Sequence, residues 1–341
     1  MTETTPPKRR PTIRDVAAHA RVSTASASLV LRKAPGVSDE TRQRVEQAMV
    51  ELGYRPMASA RGMRGKTFTL GVLVSDIQNP FFGMLLDGVA TAVDGTGYEP
   101  LVGPAGLTRD TQSRMLEAMR DRQMDGLVLI APHLREEDLD EVARQIPTVA
   151  VGRHGPAELF DTVAGDDARG SQLIVDHFVE LGHRRITYVT HSGPDPDDER
   201  RPEQVRERGY VEAMRAHGLE EFIDVVPAEW SLEGGRRAGA VLRSRDEPPT
   251  AVHAGADIAA FGLMTELWTE PGRRPALVGY DNTPTAALPT VGLSSVDQSG
   301  FEMGRRAAEL LLERLDGRTD AQHVVTTPEL VVRASSRPER D

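Results

Sequence analysis

The chain has 341 residues, of which 39% are hydrophobic, so it is long enough for two or three domains with packed cores. It contains no cysteine, which excludes disulfide bonds, thiolate metal sites and cysteine nucleophiles. The net charge is −11, but it is divided unevenly: residues 1–66 hold 13 basic and 6 acidic residues, a net of +7, and the rest hold 28 and 46, a net of −18.

A basic N-terminal segment on an acidic body predicts a polyanionic partner for that segment alone. A basic tail that only aids solubility is the alternative, and composition does not decide between them. The chain has no apolar run of about 18 residues, and its first residues, MTETTPPKRRP, lack the apolar stretch of a secretory signal. We therefore expect no membrane span and a cytoplasmic location. The nine histidines are scattered without an HExxH motif, so no metal or other cofactor is expected.

The first predicted elements are three short helices. In residues 12–31, TIRDVAAHARVSTASASLVL, Thr12 and Ser23 stand where the N-caps of two helices would be, separated by a short corner. A third helical pattern runs over residues 38–52 and ends at Gly53, a typical left-handed cap. The first two helices form a helix-turn-helix pattern.

The second of these helices has one apolar face and one outward face. Three small helices often form only a packing domain, which is the alternative here. Basic residues beside the outward face favour DNA binding instead. The outward residues are Thr24, Ala25, Ser28, Leu29 and Arg32, and nearby charge comes from residues 8–10 and Arg14.

Three segments carry a family resemblance: TIRDVAAHARVSTASASLVL, GVSDETRQRVEQAMVELGYRP and ASARGMRG. In this order they resemble the DNA-binding region of the LacI/GalR (lactose and galactose repressor) family of bacterial transcription factors, and the resemblance extends over nearly the whole chain. It implies that the second helix lies in the major groove. The DNA-contacting residues that follow from it are Thr12, Arg14, Ser23, Thr24, Ala25, Ser26, Ser28, Leu29 and Arg32.

Two of these positions depart from the family pattern. Leu29 stands where many relatives carry an arginine that pairs with guanine, and Ala25 offers no hydrogen bond. We therefore expect specificity to come from thymine-methyl contacts, from the hydroxyl groups of Thr24 and Ser28, and from DNA deformability.

Residues 57–64, MASARGMR, are alanine-rich but too few to be helical alone in water. The resemblance implies a hinge that folds on DNA, with Ala60, Met63 and Arg64 at the minor groove and Met63 as the apolar wedge. An ordinary interdomain linker is the alternative. The predicted organisation is a DNA-binding domain over residues 1–55, a hinge over 56–66 and a core over 67–341.

Strand-like apolar runs alternate with helical stretches from residue 69 onward, which is typical of parallel α/β sheets with helices on both faces. Two such series predict two lobes, and the resemblance implies a type I periplasmic-binding-protein-like fold with a ligand cleft between them. We expect an N-lobe of about residues 68–164 and 294–322, a C-lobe of about 165–291 and 323–335, and a long helix from about Gln298 to Leu315.

The resemblance also places residues in that cleft. Arg206 in VRERGYVEAM and Asp281 in LVGYDNTP match the arginine and aspartate that relatives use to bind effectors, a pair suited to polar small molecules. A salt bridge without a ligand is the alternative. Trp230 matches an aromatic position that stacks on sugars, and Phe81 and Phe82 follow the first strand of the core. Core packing is the alternative for these aromatic residues.

Ala256 stands where relatives often have an asparagine, so one polar contact to a ligand is missing. The adjacent Asp257 can be a structural helix cap rather than a ligand group.

These features together predict a ligand-responsive regulator, a repressor that binds a pseudo-palindromic operator as a homodimer and holds a sugar-like or nucleoside-like effector in its cleft. A solute-binding protein of transport type without a DNA role is the alternative, and the N-terminal helices count against it. An enzyme is not expected, because no GxSxG or GxxxxGK[ST] motif is present.

Overall fold

The computed structural model describes residues 9, 11–31, 34–54, 66–191, 198–269 and 274–337. Its contacts divide the chain into two compact units, Met1–Phe68 and Thr69–Asp341. The predicted hinge contacts of Ala60, Met63 and Arg64, and that of Arg32 in the head, lie outside the described residues.

The first unit contains the predicted helices. They are α1 (Ile13–His19), α2 (Thr24–Leu31) and α3 (Asp39–Leu52). Thr12 and Asp15 form a capping box, in which the backbone N–H of Thr12 donates to the Asp15 carboxylate at 2.7 Å. Ser23 accepts a hydrogen bond from the backbone N–H of Ser26 at 3.0 Å, and Gly53 ends α3 with φ of 61°. The predicted helix-turn-helix fold is therefore confirmed.

One small apolar core holds the three helices together. Its buried members are Val16, Ala17, Ala20, Ala27, Val30, Val45 and Ala48. Since these side chains come from all three helices, α2 keeps only its opposite face for other contacts.

The second unit begins with a parallel sheet that forms the centre of the N-lobe. In the described part of the chain it has six strands in the order β11-β5-β4-β3-β1-β2. These are β1 (Thr69–Val74), β2 (Glu99–Pro104), β3 (Gly126–Ile130), β4 (Thr148–Val151), β5 (Asp161–Gly165) and β11 (His323–Thr326). Its helices are α4 (Pro80–Val93), α5 (Arg109–Asp121), α6 (Glu136–Ala143) and α11 (Gly300–Leu315). β3, β4 and β5 are buried along their whole length, as expected for strands covered on both faces.

The C-lobe is built in the same way around a second sheet, whose described strands have the order β12-β10-β9-β8-β6-β7. They are β6 (Ile186–His191), β7 (Asp224–Ala228), β8 (Ala251–Ala254), β9 (Ala276–Tyr280), β10 (Ser294–Asp297) and β12 (Glu329–Val331). β12 pairs antiparallel with β10, and the other pairs are parallel. The helices are α7 (Asp167–Glu180), α8 (Pro202–Ala216), α9 (Leu232–Arg243) and α10 (Asp257–Leu267), with short 3-10 turns at Glu220–Phe222 and Ala334–Ser336.

The chain passes between the lobes after β5, after β10 and after β11. The predicted lobe boundaries near the C-terminus were wrong in two places. β10, expected in the N-lobe, pairs with β9 of the C-lobe, and β11, expected in the C-lobe, pairs with β5 of the N-lobe. The reason is that the backbone partner of a short strand decides its sheet, and that partner lies elsewhere in the sequence.

A buried carboxylate holds α11 and the loop before β11 against the N-lobe sheet. Asp161 on β5 has a fully buried side chain and accepts two hydrogen bonds from Arg314 of α11, at 2.8 and 2.9 Å. It also accepts from Arg318 at 2.6 Å and from the backbone N–H of Gln322 at 2.8 Å. α11 and the strand after it are thereby bound to β5.

Candidate functional site

An open cleft lies between the two lobes at the carboxyl ends of their strands, the place where ligands bind in open α/β sheets. Its empty space, including solvent at the mouth, is about 880 Å³. The cleft is lined by all five of the predicted effector residues, Phe81, Phe82, Arg206, Trp230 and Asp281. Their contact with an effector remains a prediction.

Arg206 lies on α8 with only 3% of its surface exposed. Its Nε donates to the Asp167 carboxylate at 2.7 Å, and its Nη1 donates to the carbonyl of Gly255 at 2.6 Å. The guanidinium also stacks on the Tyr280 ring, 3.6 Å from the ring centroid. Burial by itself lowers the pKa of Arg206, but Asp167 and nearby acidic groups outweigh this and raise it, so the side chain is a permanent cation.

Asp281 follows β9 and has a φ of 112°, a left-handed conformation that is unusual for a residue with a Cβ atom. The backbone N–H of Asp281 donates to Val296 at 2.8 Å, and the amide of Gln298 donates to its carboxylate at 2.6 Å. Burial raises the pKa of Asp281 well above its ordinary value, although Arg206 opposes this. A buried carboxyl group held by strained backbone is typical of a binding site.

Trp230 lies in the cleft between two charged or polar groups. Its ring is 4.9 Å from the Arg206 guanidinium and 5.3 Å from the His191 ring, to which it is tilted by 34°. Gly255 faces the indole so closely that a Cβ atom there would lie 2.5 Å from Nε1. The indole therefore depends on a glycine at position 255.

The sequence left alternative roles open for Phe81, Phe82 and Asp257, and the structure shows the contacts of each. Phe81 both lines the cleft and belongs to the buried N-lobe core, and Phe82 lines the cleft while packing against that core. Asp257 is not the helix cap, because Ala256 occupies that position. Its carboxylate instead accepts hydrogen bonds from Thr283 at 2.7 and 2.9 Å and from Ser295 at 2.6 Å, so it joins β9, β10 and α10.

The cleft residues that the sequence analysis did not identify include His133, His191, Arg201 and Glu203. His133 follows β3 of the N-lobe, and its Nδ1 is within hydrogen-bonding distance of the Arg201 guanidinium at the start of α8. Arg201 also pairs with Glu203 at 3.0 Å. Burial, with Arg201 and His191 nearby, lowers the pKa of His133 to about 3, so this imidazole is neutral at physiological pH.

The two lobes also contact each other beside the cleft. Arg153 of the N-lobe pairs with Asp198 at 2.9 Å, and the backbone N–H of His154 donates to the carbonyl of Arg200 at 2.8 Å. The His154 ring is 2.6 Å from the Asp167 carboxylate, which also holds Arg206. The carboxylate of Asp167 thus connects a cleft residue of one lobe to a loop of the other.

The outward face of α2 is the candidate DNA surface. Thr24 and Ala25 are exposed, and Ser26, Ser28 and Leu29 are half-buried. Arg14 on α1 and Ser23 at the start of α2 are also exposed. Thr12 is half-buried, and its hydroxyl donates to Asp15 at 2.8 Å as part of the helix cap. The contacts of these residues with DNA stay predictions.

Comparisons with known proteins find matches to both the N-terminal helices and the two-lobed core. Residues 12–57 match the family described as bacterial regulatory proteins, lacI family, and residues 175–336 match the periplasmic binding protein-like domain. The HTH-type transcriptional repressor CytR of Escherichia coli (strain K12) is 30% identical over 339 residues, which cover 96% of each chain. The chain belongs to the LacI family.

Solved LacI-family structures have the same architecture. The transcriptional regulator CelR, in a complex with cellobiose, is 29% identical with a TM-score of 0.69, over 96% of this chain and 100% of that one. The Lac repressor dimer bound to operator and the anti-inducer ONPF has a TM-score of 0.78 at 22% identity, over 96% and 99% of the two chains, and this likeness concerns the fold. These relatives are transcription regulators, not enzymes.

Two further observations concern this LacI-family chain itself. Within the described ranges, no helix is long and apolar enough to cross a membrane. The same part of the chain holds no group of three or more histidine, aspartate or glutamate side chains that could bind a metal ion.

Proposed function

We propose that this LacI-family chain is a homodimeric transcriptional repressor that binds a pseudo-palindromic operator and changes its affinity for DNA when a small polar effector enters the interlobe cleft. One observation supports this most strongly: the cleft places Arg206 and Asp281 of the C-lobe opposite Phe81 and Phe82 of the N-lobe. A ligand that contacts both walls stabilises the closed arrangement of the lobes. The changed angle between the lobes alters the ability of the hinge to fold on DNA, which couples effector binding to operator affinity.

The head supports the DNA half of the proposal. Its core uses one face of α2 and leaves Thr24 and Ala25 exposed at the start of that helix. Residues 1–66 carry a net charge of +7, which suits a phosphate backbone. The structure of the CelR relative in a complex with cellobiose supports an effector of sugar-like type.

The dimer is supported by an exposed apolar segment. β2 is an edge strand, and Leu101 and Val102 on it are 50% and 47% exposed. Edge strands with large apolar side chains are normally covered, and a second copy of the chain matches the two-fold symmetry of a palindromic operator.

The test has three steps on the full chain. An operator is selected from random duplexes, its affinity is measured by fluorescence anisotropy across a salt series, and a panel of sugars and nucleosides is screened for compounds that change that affinity. We expect binding to weaken steeply with salt, because phosphate contacts release counterions.

Thr24→Asp, which adds a negative charge to the α2 face, is expected to abolish operator binding without changing the folding of the core. A chain that binds operator unchanged after this substitution would contradict the proposed DNA surface.

The hinge has its own test. Met63→Gly is expected to weaken binding to the operator more than binding to random DNA, because a wedge acts only on a deformed base step. Equal losses on both DNAs would exclude Met63 as the wedge.

A further inference from the structure

Both arginines that line the cleft are already neutralised by carboxylates of the protein. Arg206 pairs with Asp167 at 2.7 Å, and the two side chains are 4% and 2% exposed. Arg201 pairs with Glu203 at 3.0 Å, and these side chains are 6% and 7% exposed. A phosphate or carboxylate group on a ligand would therefore have to displace one of these buried partners before it could pair with a guanidinium.

Two helix N-termini at the cleft are neutralised as well. The N-termini of α7 and α8 would otherwise attract an anion, because the first backbone N–H groups of a helix have no partner within the helix and the helix dipole is positive at this end. Asp167 is the first residue of α7, and Glu203 lies in the first turn of α8. The same two carboxylates thus neutralise both the arginines and the helix ends.

The remaining ionisable groups of the cleft make it negative rather than positive. Asp76 and Asp281 line the cleft, and no ion pair of either is found within the described ranges. His133 and His191 do not compensate, since burial lowers the pKa of both. The lining thus holds two arginines against four carboxyl groups. Burial raises the pKa of Asp281 and so favours its neutral form, but the other three carboxyl groups still outnumber the two arginines.

The cleft nevertheless offers polar contacts to a neutral ligand. The carboxyl group of Asp281 accepts hydrogen bonds from the amides of Gln298 and Asn79, and its remaining lone-pair sites can accept from ligand hydroxyl or N–H groups whether or not the group is protonated. The indole of Trp230 also lines the cleft, and its Nε1 is buried without a hydrogen-bond partner within the described part of the chain. Phe81, Phe82 and the Trp230 ring supply apolar faces.

We propose that the cleft selects by charge: it takes an uncharged ligand that donates hydroxyl or N–H groups to Asp281, and it rejects the phosphorylated or carboxylate form of the same compound. Asp167 and Glu203 are the residues that set this selection. The inference rests on the proposed effector role of the cleft.

The first test uses matched neutral and phosphorylated compounds with the full chain. The pairs are glucose and glucose 6-phosphate, ribose and ribose 5-phosphate, cytidine and its 5′-monophosphate, and adenosine and its 5′-monophosphate. Binding is measured by isothermal titration calorimetry at constant ionic strength. In any pair that binds, we expect the phosphorylated form to bind about 100-fold more weakly, because it adds like charge to an acidic site. Equal or tighter binding of the phosphorylated form would overturn the inference.

The second test does not require the effector to be known. Inorganic phosphate is titrated into the unaltered chain and into the variants Asp167→Asn and Glu203→Gln, against chloride at matched ionic strength. Each substitution keeps the side-chain size and frees one arginine, so we expect the variants to bind phosphate about tenfold more tightly than the unaltered chain. If Asp167→Asn fails to fold, Glu203→Gln alone provides this comparison. Glu137→Gln, an exposed carboxylate away from the cleft, is the control.

The two tests separate the two proposals. If no neutral or phosphorylated compound binds and none changes operator affinity, the effector role is contradicted, while the phosphate titration still judges the charge selection. Saturable phosphate binding by the unaltered chain that the variants do not strengthen would overturn the charge selection, because it would mean that Asp167 and Glu203 do not neutralise the arginines. A role of Asp167 and Glu203 in stability alone would not make Asp167→Asn or Glu203→Gln bind inorganic phosphate more tightly.

Discussion

One carboxylate, that of Asp167, contacts Arg206 at 2.7 Å and His154 at 2.6 Å, although these two partners belong to opposite lobes. Asp167 begins α7 immediately after the first crossing between the lobes. The position of the cleft arginine is therefore linked to the closure of the lobes by a single side chain.

Removing His154 is expected to make closure less favourable. His154→Ala should weaken effector binding by about tenfold, because a ligand that needs the closed state then binds a smaller population. Calorimetry measures the affinity, and small-angle scattering of the ligand-free chain should give a larger radius of gyration. The control is His217→Ala, because the His217–Asp176 pair has a similar distance of 2.7 Å but lies within one lobe. Equal effects of the two substitutions would contradict the link between lobes.

Asp161 is expected to be essential for the stability of the N-lobe. Asp161→Asn removes the charge that holds Arg314 and Arg318, and breaking a buried ion pair on one side costs about 3–5 kcal/mol. Urea unfolding followed by circular dichroism measures this loss. Glu137→Gln, whose side chain is 82% exposed, should change stability by less than about 1 kcal/mol. A loss no larger than that of the control would show that Asp161 does not anchor α11.

The same carboxylate predicts a dependence of stability on pH. Burial raises the pKa of Asp161, but hydrogen bonds from Arg318 and Arg314 outweigh burial, so its pKa in the folded chain lies below the ordinary value. The unfolded chain then binds the proton more readily, and the stabilisation is complete above about pH 4 to 5 and is lost as pH falls through the folded pKa. Unfolding midpoints between pH 7 and pH 3 should fall less steeply in Asp161→Asn than in the unaltered chain. Parallel curves would contradict this prediction.

Gly255 is expected to control the position of the Trp230 indole. In Gly255→Ala the new Cβ atom would lie 2.5 Å from Nε1, so the indole must move toward the cleft and reduce the space for a ligand. We expect effector affinity to fall about tenfold or more while operator affinity without effector stays unchanged. Gly83→Ala is the control, since nothing lies within 4 Å of its added Cβ atom. Unchanged effector binding in Gly255→Ala would mean that the indole does not contact the ligand.

Of the two edges of the N-lobe sheet, only the β2 edge is expected to take part in dimer formation. Leu101→Arg on β2 is expected to convert a dimer to a monomer and to weaken operator binding about 100-fold, because charge is depleted at the centre of such interfaces. Val325→Arg on β11, the opposite edge strand, is the control, since Val325 is 62% exposed. Sedimentation equilibrium measures the oligomeric state. A stable dimer of Leu101→Arg would exclude the β2 edge as the interface.

Much of this architecture follows from local sequence patterns. The capping box of Thr12 and Asp15, the Ser23 cap and the left-handed Gly53 are decided by residues within a few positions, so the helices of the head were predictable. The strands were also recognisable, because each is a short apolar run and such a run is a local signal in the sequence. Arg206, Trp230 and Asp281 were placed in the cleft through the resemblance to a family, and Phe81 and Phe82 through their position after the first strand of the core.

The remainder depends on contacts between distant segments. His133 and Arg201 come from opposite lobes, and no spacing in the sequence indicates their contact. The assignment of β10 and β11 failed because both are short apolar strands beside a crossing, and only their backbone partners distinguish the lobes. The pairing of Arg206 with Asp167 could not be predicted from the sequence either, because the two residues are 39 positions apart.

The second crossing has a mechanical consequence. Gln298 sits where the chain leaves β10 for α11, and its amide holds the strained Asp281. A molecule that touches this carboxyl group therefore acts at the pivot of the clamshell, where a small rotation is amplified at the outer rims as by a lever arm. We therefore expect a small rotation at this crossing to displace the far ends of the lobes more than the ends beside the cleft.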